Sequence, residues 1–154
     1  YESIKTNDIC FLPRKSVGTD KIVADLQRSF SIIRIENMSQ NQVQDVLARS
    51  KYFIDFGHHP GKDRIPREAA IANCIPIVRC EGAARYMEDV FLPKFLKIDM
   101  EMMINTEFLV EHINKLELNR PKVLASIEPY KRKIKSEMSE FISQVQDFCE
   151  LYFA

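Results

Sequence analysis

Residues 52–80 read YFIDFGHHPGKDRIPREAAIANCIPIVRC, and the fold class turns on this stretch. It opens on Tyr52–Gly57, a short apolar run with aromatic and β-branched residues, which predicts a buried strand. A loop with Pro60-Gly61 follows, and Pro66–Cys74 predicts a short helix. Ile75–Cys80 (IPIVRC) is a second buried strand. Strand, helix and strand in succession make a crossover unit. The helix carries the chain back over one face of the sheet, so its two strands lie parallel.

The same alternation extends outward from this unit. Asp8–Pro13 (DICFLP) and Ser31–Glu36 (SIIRIE) read as strands. Between them Thr19 is placed to cap a helix in which Ile22, Val23, Leu26 and Phe30 recur at helical spacing. Ser39 is a good N-cap for Gln40–Ser50, where Val43, Val46 and Leu47 share a face. Beyond the central unit, a helical turn around Ala83–Asp89 leads to a weaker fifth strand at Phe95–Asp99. The prediction is an α/β, Rossmann-like domain of three layers. A mostly parallel sheet of about five strands should carry helices on both faces.

The C-terminal third, residues 105–154, predicts helix alone. Thr106–Leu118 is one helix, and from about Ser126 a long helix runs to the end. Along it Ile127, Tyr130, Ile134, Met138, Phe141, Val145, Phe148 and Tyr152 recur at helical spacing, and Pro129 fits only near its first turn. Such a stripe predicts core or a surface that meets another domain. Residues 1–154 together are the length of one domain.

Composition narrows the partners. Lys plus Arg number 22 and Asp plus Glu number 22, so overall charge draws the chain neither to nucleic acid nor to a membrane surface. No apolar run approaches the roughly 18 residues that a membrane span needs. The sequence starts at Tyr1 without a signal-peptide pattern, and the simplest reading is a piece of a longer protein. Cys10, Cys74, Cys80 and Cys149 form no C-x-x-C pair, and three of them sit in apolar runs. They predict buried, inert thiols in a reducing compartment.

In a parallel sheet, ligands settle beyond the carboxyl ends of the strands, where the strand order reverses. The residues just after strands therefore matter most: Arg14 and Lys15, Glu36 and Asn37, Gly57 to Glu68, and Glu81 to Ala84. In the longest of these loops Pro66 suits a first helical position, with Ile65 at the N-cap. The free N–H groups of that helix would then form an anion site, Gly61 would admit a ligand near the backbone, and Lys62, Arg64 and Arg67 would add positive charge. Plainer readings fit the same residues. Glu68, at the third helical position, can close a capping box. Lys62, Asp63 and Arg67 can form a solvated ion-pair cluster, and Arg14-Lys15 can hold a diphosphate or simply be surface charge. Adjacent His58 and His59 cannot both point readily at one ion, so no metal site is expected.

The run Gly61-Lys62-Asp63-Arg64-Ile65-Pro66-Arg67-Glu68-Ala69-Ala70, with Asn73-Cys74-Ile75-Pro76-Ile77-Val78 after it, resembles a motif of glycosyltransferases with the GT-B fold. In the large retaining family that motif runs EGFGLPxLEAMAxGxPVI. The form DFGHHPGKDRIPREAA resembles more closely a bacterial subgroup with FG-x-HPGKDR-x-PREAA. Pro13-Arg14-Lys15, Gly82-Ala83-Ala84 and Asp89-Val90 match further pieces of the subgroup. The resemblance spans about Ile9 to Ile98. It implies the donor-binding half of a transferase that uses a nucleotide-diphosphate sugar, without a metal or other cofactor, in polysaccharide biosynthesis.

The resemblance also assigns roles. Glu68 would hold the ribose hydroxyls, Arg14 and Lys15 the diphosphate, and Gly61, Lys62, Asp63 and Arg64 would lie near the donor sugar. An N-terminal partner domain would precede Tyr1, so these residues alone should fold but transfer no sugar. The enzyme would be cytoplasmic, at the inner membrane surface where the acceptor is a lipid. Pro60 stands where the family carries its first Glu, and proline offers no carboxylate. That departure keeps a second expectation open, a non-catalytic nucleotide- or phosphate-binding module. A third is a structural or interaction domain that uses the long C-terminal helix as its contact face.

Overall fold

The computed structural model describes residues 3–15, 18–58, 61 and 63–153. Five strands form one sheet: β1 (Asn7–Phe11), β2 (Ile32–Arg34), β3 (Ser50–Asp55), β4 (Ile75–Arg79) and β5 (Lys97–Ile98). Their order is β2-β1-β3-β4-β5, and every neighbouring pair is parallel. Ile9 pairs with Ile32 on one side and Tyr52 on the other, and Phe53 pairs with Pro76. Proline lacks the N–H of a central strand. It is tolerated here because β5 pairs only with Val78 and Arg79, so β4 is an edge at Pro76.

Helices α1 (Asp20–Leu26) and α5 (Thr106–Leu118) cover one face, and α2 (Gln40–Arg49) and α3 (Arg64–Ile71) cover the other. Strand alternation sorts the core between them. Ile9, Phe11, Tyr52 and Ile54 pack with Ile22, Leu26, Leu109 and Ile113, whereas Cys10 and Phe53 pack with Val43, Leu47 and Ala69. The reading of α5 from Thr106 to Leu118 matches the structure, as does the cap on α2. There Ser39 Oγ accepts the Gln42 N–H at 3.3 Å, and Gln42 Oε1 accepts the Ser39 N–H at 2.8 Å.

Other boundaries differ from the sequence reading. Thr19 precedes α1 but makes no side-chain cap bond. The fifth strand shrinks to two residues because Lys94–Leu96 forms a 3-10 turn. Two short helices went unpredicted, α4 (Met100–Met103) and α6 (Arg120–Ser126). The helix of the central unit starts at Arg64 with Asp63 as N-cap, two residues before the expected start. Pro66 is thus the third helical residue, a position whose N–H has no intrahelical partner anyway. The shift moves Glu68 to the fifth position, beyond reach of a capping box. Its Oε1 instead lies 3.3 Å from Arg64 Nε.

The last helix, α7 (Glu128–Phe153), has Pro129 in its first turn as expected. Ile127, just before it, and Tyr130 are buried. Lys131 Nζ donates to Asn73 Oδ1 at 2.7 Å, and Glu137 meets Arg67 at 2.7 Å, so α7 rises along α3. From Ser139 to Tyr152 every side chain is exposed. Among the described residues no helix is long and apolar enough to cross a membrane. Of the thiols expected to be buried, Cys10 and Cys74 are, with sulfurs 4.0 Å apart, and burial pushes the Cys74 thiol well up. Cys80 is half-buried and Cys149 exposed.

Candidate functional site

Strand order 2-1-3-4-5 reverses between β1 and β3, the point where flavodoxin-like sheets leave a crevice beyond their carboxyl ends. The chain leaves β1 into α1 on one face and returns through α2 on the other, so the two connections diverge there. A cleft of about 660 Å³ opens at this edge. Leu12, Ile35, Val43 and Ile65 give it an apolar floor, and Arg14, Glu36, Asn37 and Arg64 give it polar walls. Arg14 is exposed in the 3-10 turn Pro13–Lys15 that follows β1. Asn37 adopts a left-handed conformation (φ 52°), which asparagine tolerates better than most residues, and this bend separates Glu36 from the Ser39 cap. Arg34 joins the cluster: its guanidinium lies 3.9 Å from Glu36, 3.7 Å from Asp20 and over the Phe11 ring.

A second hollow, of about 300 Å³, lies on the outer face between α2, α3 and α7. Leu47, Ile71, Ala72 and Ile134 line it, with Arg64, Arg67 and Glu68 around them. Glu68 Oε2 is buried there with no hydrogen-bond partner among the described residues. Arg64 borders both hollows.

The structure thus brings together some residues that the sequence singled out and separates others. Arg14 and Arg64 share the cleft, with Glu36 and Asn37. Glu68 faces the outer groove, one helical turn along from Arg64. Gly61 sits half-buried before α3, where an added Cβ would meet no atom within 4 Å beyond its two chain neighbours, so a ligand has room to approach its backbone. Asp63 starts α3 without a side-chain cap bond. Arg67 is drawn to Glu137 of α7. The turn holding Lys15 is described but its side chain is not, and His59, Pro60 and Lys62 lie outside the described residues.

The loops after β3 and β4 are held by polar contacts that sequence reasoning did not isolate. Asp55, buried at the end of β3, accepts the Gly57 N–H at 2.9 Å. Arg79 donates to the Phe56 carbonyl at 3.3 Å and reaches Glu81 at 2.5 Å. That guanidinium, with His58 nearby at 3.6 Å, holds the Glu81 carboxyl below its ordinary range. Gly82 takes a positive φ of 56°, which glycine accepts without strain, while Ala83 and Ala84 are buried. The small residues of this turn therefore serve tight packing. An acidic residue at a strand end was visible in the sequence as Asp55, but its role became legible only with Gly57 beside it. Among the described residues no three His, Cys, Asp or Glu side chains gather where they could hold a metal.

Comparison of the chain with models of known families, with curated proteins and with solved structures finds no match.

Proposed function

We propose that this chain is the donor-binding half of a glycosyltransferase and takes a nucleotide-diphosphate sugar in the cleft beyond β1. The observation that carries the reading is the cleft's composition at the switch point. Two arginines, Arg14 and Arg64, stand over an apolar floor large enough for a nucleotide. Diphosphate oxygens suit the paired donors of guanidinium groups, and the apolar floor suits a base. Charge that develops on the leaving diphosphate would be met by the same arginines, as such transfer requires. Two carboxylates are candidates for the ribose. The family resemblance points to Glu68, and the cleft wall offers Glu36.

A second reading, a module that binds nucleotide but transfers nothing, is favoured by Pro60 in place of the first motif Glu. Both readings require nucleotide binding, and a panel of nucleotide-diphosphate sugars tests that directly by thermal stabilisation. A ligand at a hundred times its dissociation constant adds about 2.7 kcal/mol. For a domain of this size that raises Tm by roughly 5–10 °C. A panel that shifts Tm by no more than inorganic phosphate does would sink both readings. Sugar transfer by the protein with its partner domain, and none by a stabilised but inactive one, separates the first from the second.

A further inference from the structure

We infer that the exposed end of α7 pairs antiparallel with the same segment of a second copy of this chain. Phe141, Val145, Phe148 and Tyr152 fall within one narrow stripe at about 100° per residue, and Ile142 and Leu151 flank it on either side. These side chains are 61, 44, 54, 65, 50 and 75% exposed in that order. With aromatic side chains carrying about 150–250 Å² each, the six expose on the order of 600 Å². Two copies could then bury up to about 1,200 Å², the lower bound of a specific interface.

The stripe is self-complementary about a two-fold axis between Gln146 and Asp147. Phe141 then lies opposite Tyr152 of the second copy, and Val145 opposite its Phe148. Ile142 of one helix and Leu151 of the other close the two sides of the seam at one level. Such reciprocity is what an isologous contact demands. The charges agree with it. Glu140, Asp147 and Glu150 are the charged residues beyond Ser139, and each lies about 100° or more from the stripe, so two acidic helix ends meet without opposed carboxylates.

Packing fixes the direction. Ile134 lies seven residues before Phe141 on the same stripe, and there it lines the outer groove with Leu47 and Ile71 of its own chain. Glu137 is tied to Arg67 of α3. A parallel partner helix would have to occupy the space that α3 already fills. An antiparallel one meets only the exposed part of the stripe, with its Tyr152 level with Phe141 of the other copy and short of Ile134.

Sedimentation of the 154-residue chain should show a dimer at about 100 µM, as a contact of modest area gives. Phe148→Glu should raise the dissociation constant at least ~100-fold while leaving the circular dichroism and melting of the body unchanged. Leu118→Glu, at an exposed residue of α5, should leave the dimer intact. In a Cys149→Ser background, Val145→Cys and Phe148→Cys chains should cross-link when mixed and oxidised with diamide, and Val145→Cys alone should not. A monomer at that concentration, meaning that something else covers α7, would overturn the inference. So would a dimer indifferent to Phe148→Glu, or one in which Val145→Cys cross-links by itself as fast as the mixture does.

Discussion

The cleft beyond β1 and the groove beside α7 share a wall, the first turns of α3, yet they differ in what they offer a ligand. The cleft stands at the reversal of strand order and joins Arg14, Glu36 and Asn37 to Arg64. The groove is framed by α2, α3 and α7, with Leu47, Ile71, Ala72 and Ile134 in its lining and charges that pair with one another on its rim. Arg67 meets Glu137, and Arg64, which borders both hollows, meets one oxygen of Glu68. Five consecutive residues of one motif thus serve two surfaces. A motif read along the chain gives the chemistry of its residues, but only the helix and its neighbours decide which surface each one faces.

The largest expected effect tests whether the cleft, not the groove, takes the diphosphate. Each charge-assisted hydrogen bond is worth about 1.5–3 kcal/mol. Replacing Arg14 and Arg64 together with Ala should weaken a nucleoside diphosphate by about 100-fold or more, at tenfold per 1.4 kcal/mol. The corresponding nucleoside should lose less than about threefold, since it carries no phosphate for either arginine. Calorimetry with the two ligands reads the difference. Equal losses would mean that the arginines are surface charge and that the comparison of the two hollows carries no function. The double change Arg14→Ala and Lys15→Ala extends the test to the neighbouring lysine.

A smaller effect separates the two carboxylates. Whichever of them accepts hydrogen bonds from ribose hydroxyls should, when changed to Gln, cost about tenfold in affinity, because a neutral amide is a poorer acceptor. A 2′-deoxy ligand should lose less, one partner hydroxyl being already absent. Glu36→Gln and Glu68→Gln are therefore titrated with both ligands, after equal melting temperatures without ligand are confirmed. A loss confined to Glu68→Gln brings the ligand across Arg64 toward the groove, as the resemblance implies. A loss confined to Glu36→Gln keeps it in the cleft. If neither change moves affinity by more than twofold, neither Glu36 nor Glu68 holds the ribose.

Much of the fold was legible because its signals are local. Tyr52–Gly57 and Ile75–Cys80 announced β3 and β4 by short runs of mainly apolar residues, and α5 was bounded correctly from Thr106 to Leu118. What escaped was short or conditional. Met100–Met103 is a single turn, and Pro121, in the first turn of α6, marks a helix start that the sequence reading ran past. The start of α3 was misplaced because proline fits any of the first helical positions, and the sequence does not say which of them Pro66 takes. The site was less legible still. Glu36 could be named as a residue after a strand. Its meeting with Arg14 depends on β1 lying between β2 and β3, a choice made by packing of the whole sheet.

The smallest effect comes from the opposite end of the sheet and serves as the control for both hollows. Near the amino ends of β1 and β3, Asp8 accepts the Ser31 N–H at 3.0 Å and meets Lys51 at 3.2 Å. Lys51 also meets Glu117 at 3.2 Å, and Glu117 accepts the Tyr52 hydroxyl at 2.7 Å. Burial alone would raise the Asp8 carboxyl, but the Ser31 N–H and the Lys51 ammonium hold it below its ordinary range. A carboxyl depressed in the folded state binds fewer protons there than in the unfolded chain, so stability rises with pH across the interval between the two values. The contribution is present above about pH 4 and is lost as pH falls through the folded value. Because Asp8 and Lys51 are 32 and 28% exposed, solvent screening keeps it below about 1 kcal/mol. Urea unfolding at pH 5 and at pH 3 should show a smaller difference for Asp8→Asn than for the unmodified chain, with nucleotide affinity at pH 7 unchanged within twofold. The cleft variants should behave the other way, losing affinity while keeping their response to acid. If Asp8→Asn weakened nucleotide binding as much as the loss of Arg14 and Arg64 does, the two ends of the sheet would not be independent. Binding could then not be assigned to the carboxyl edge.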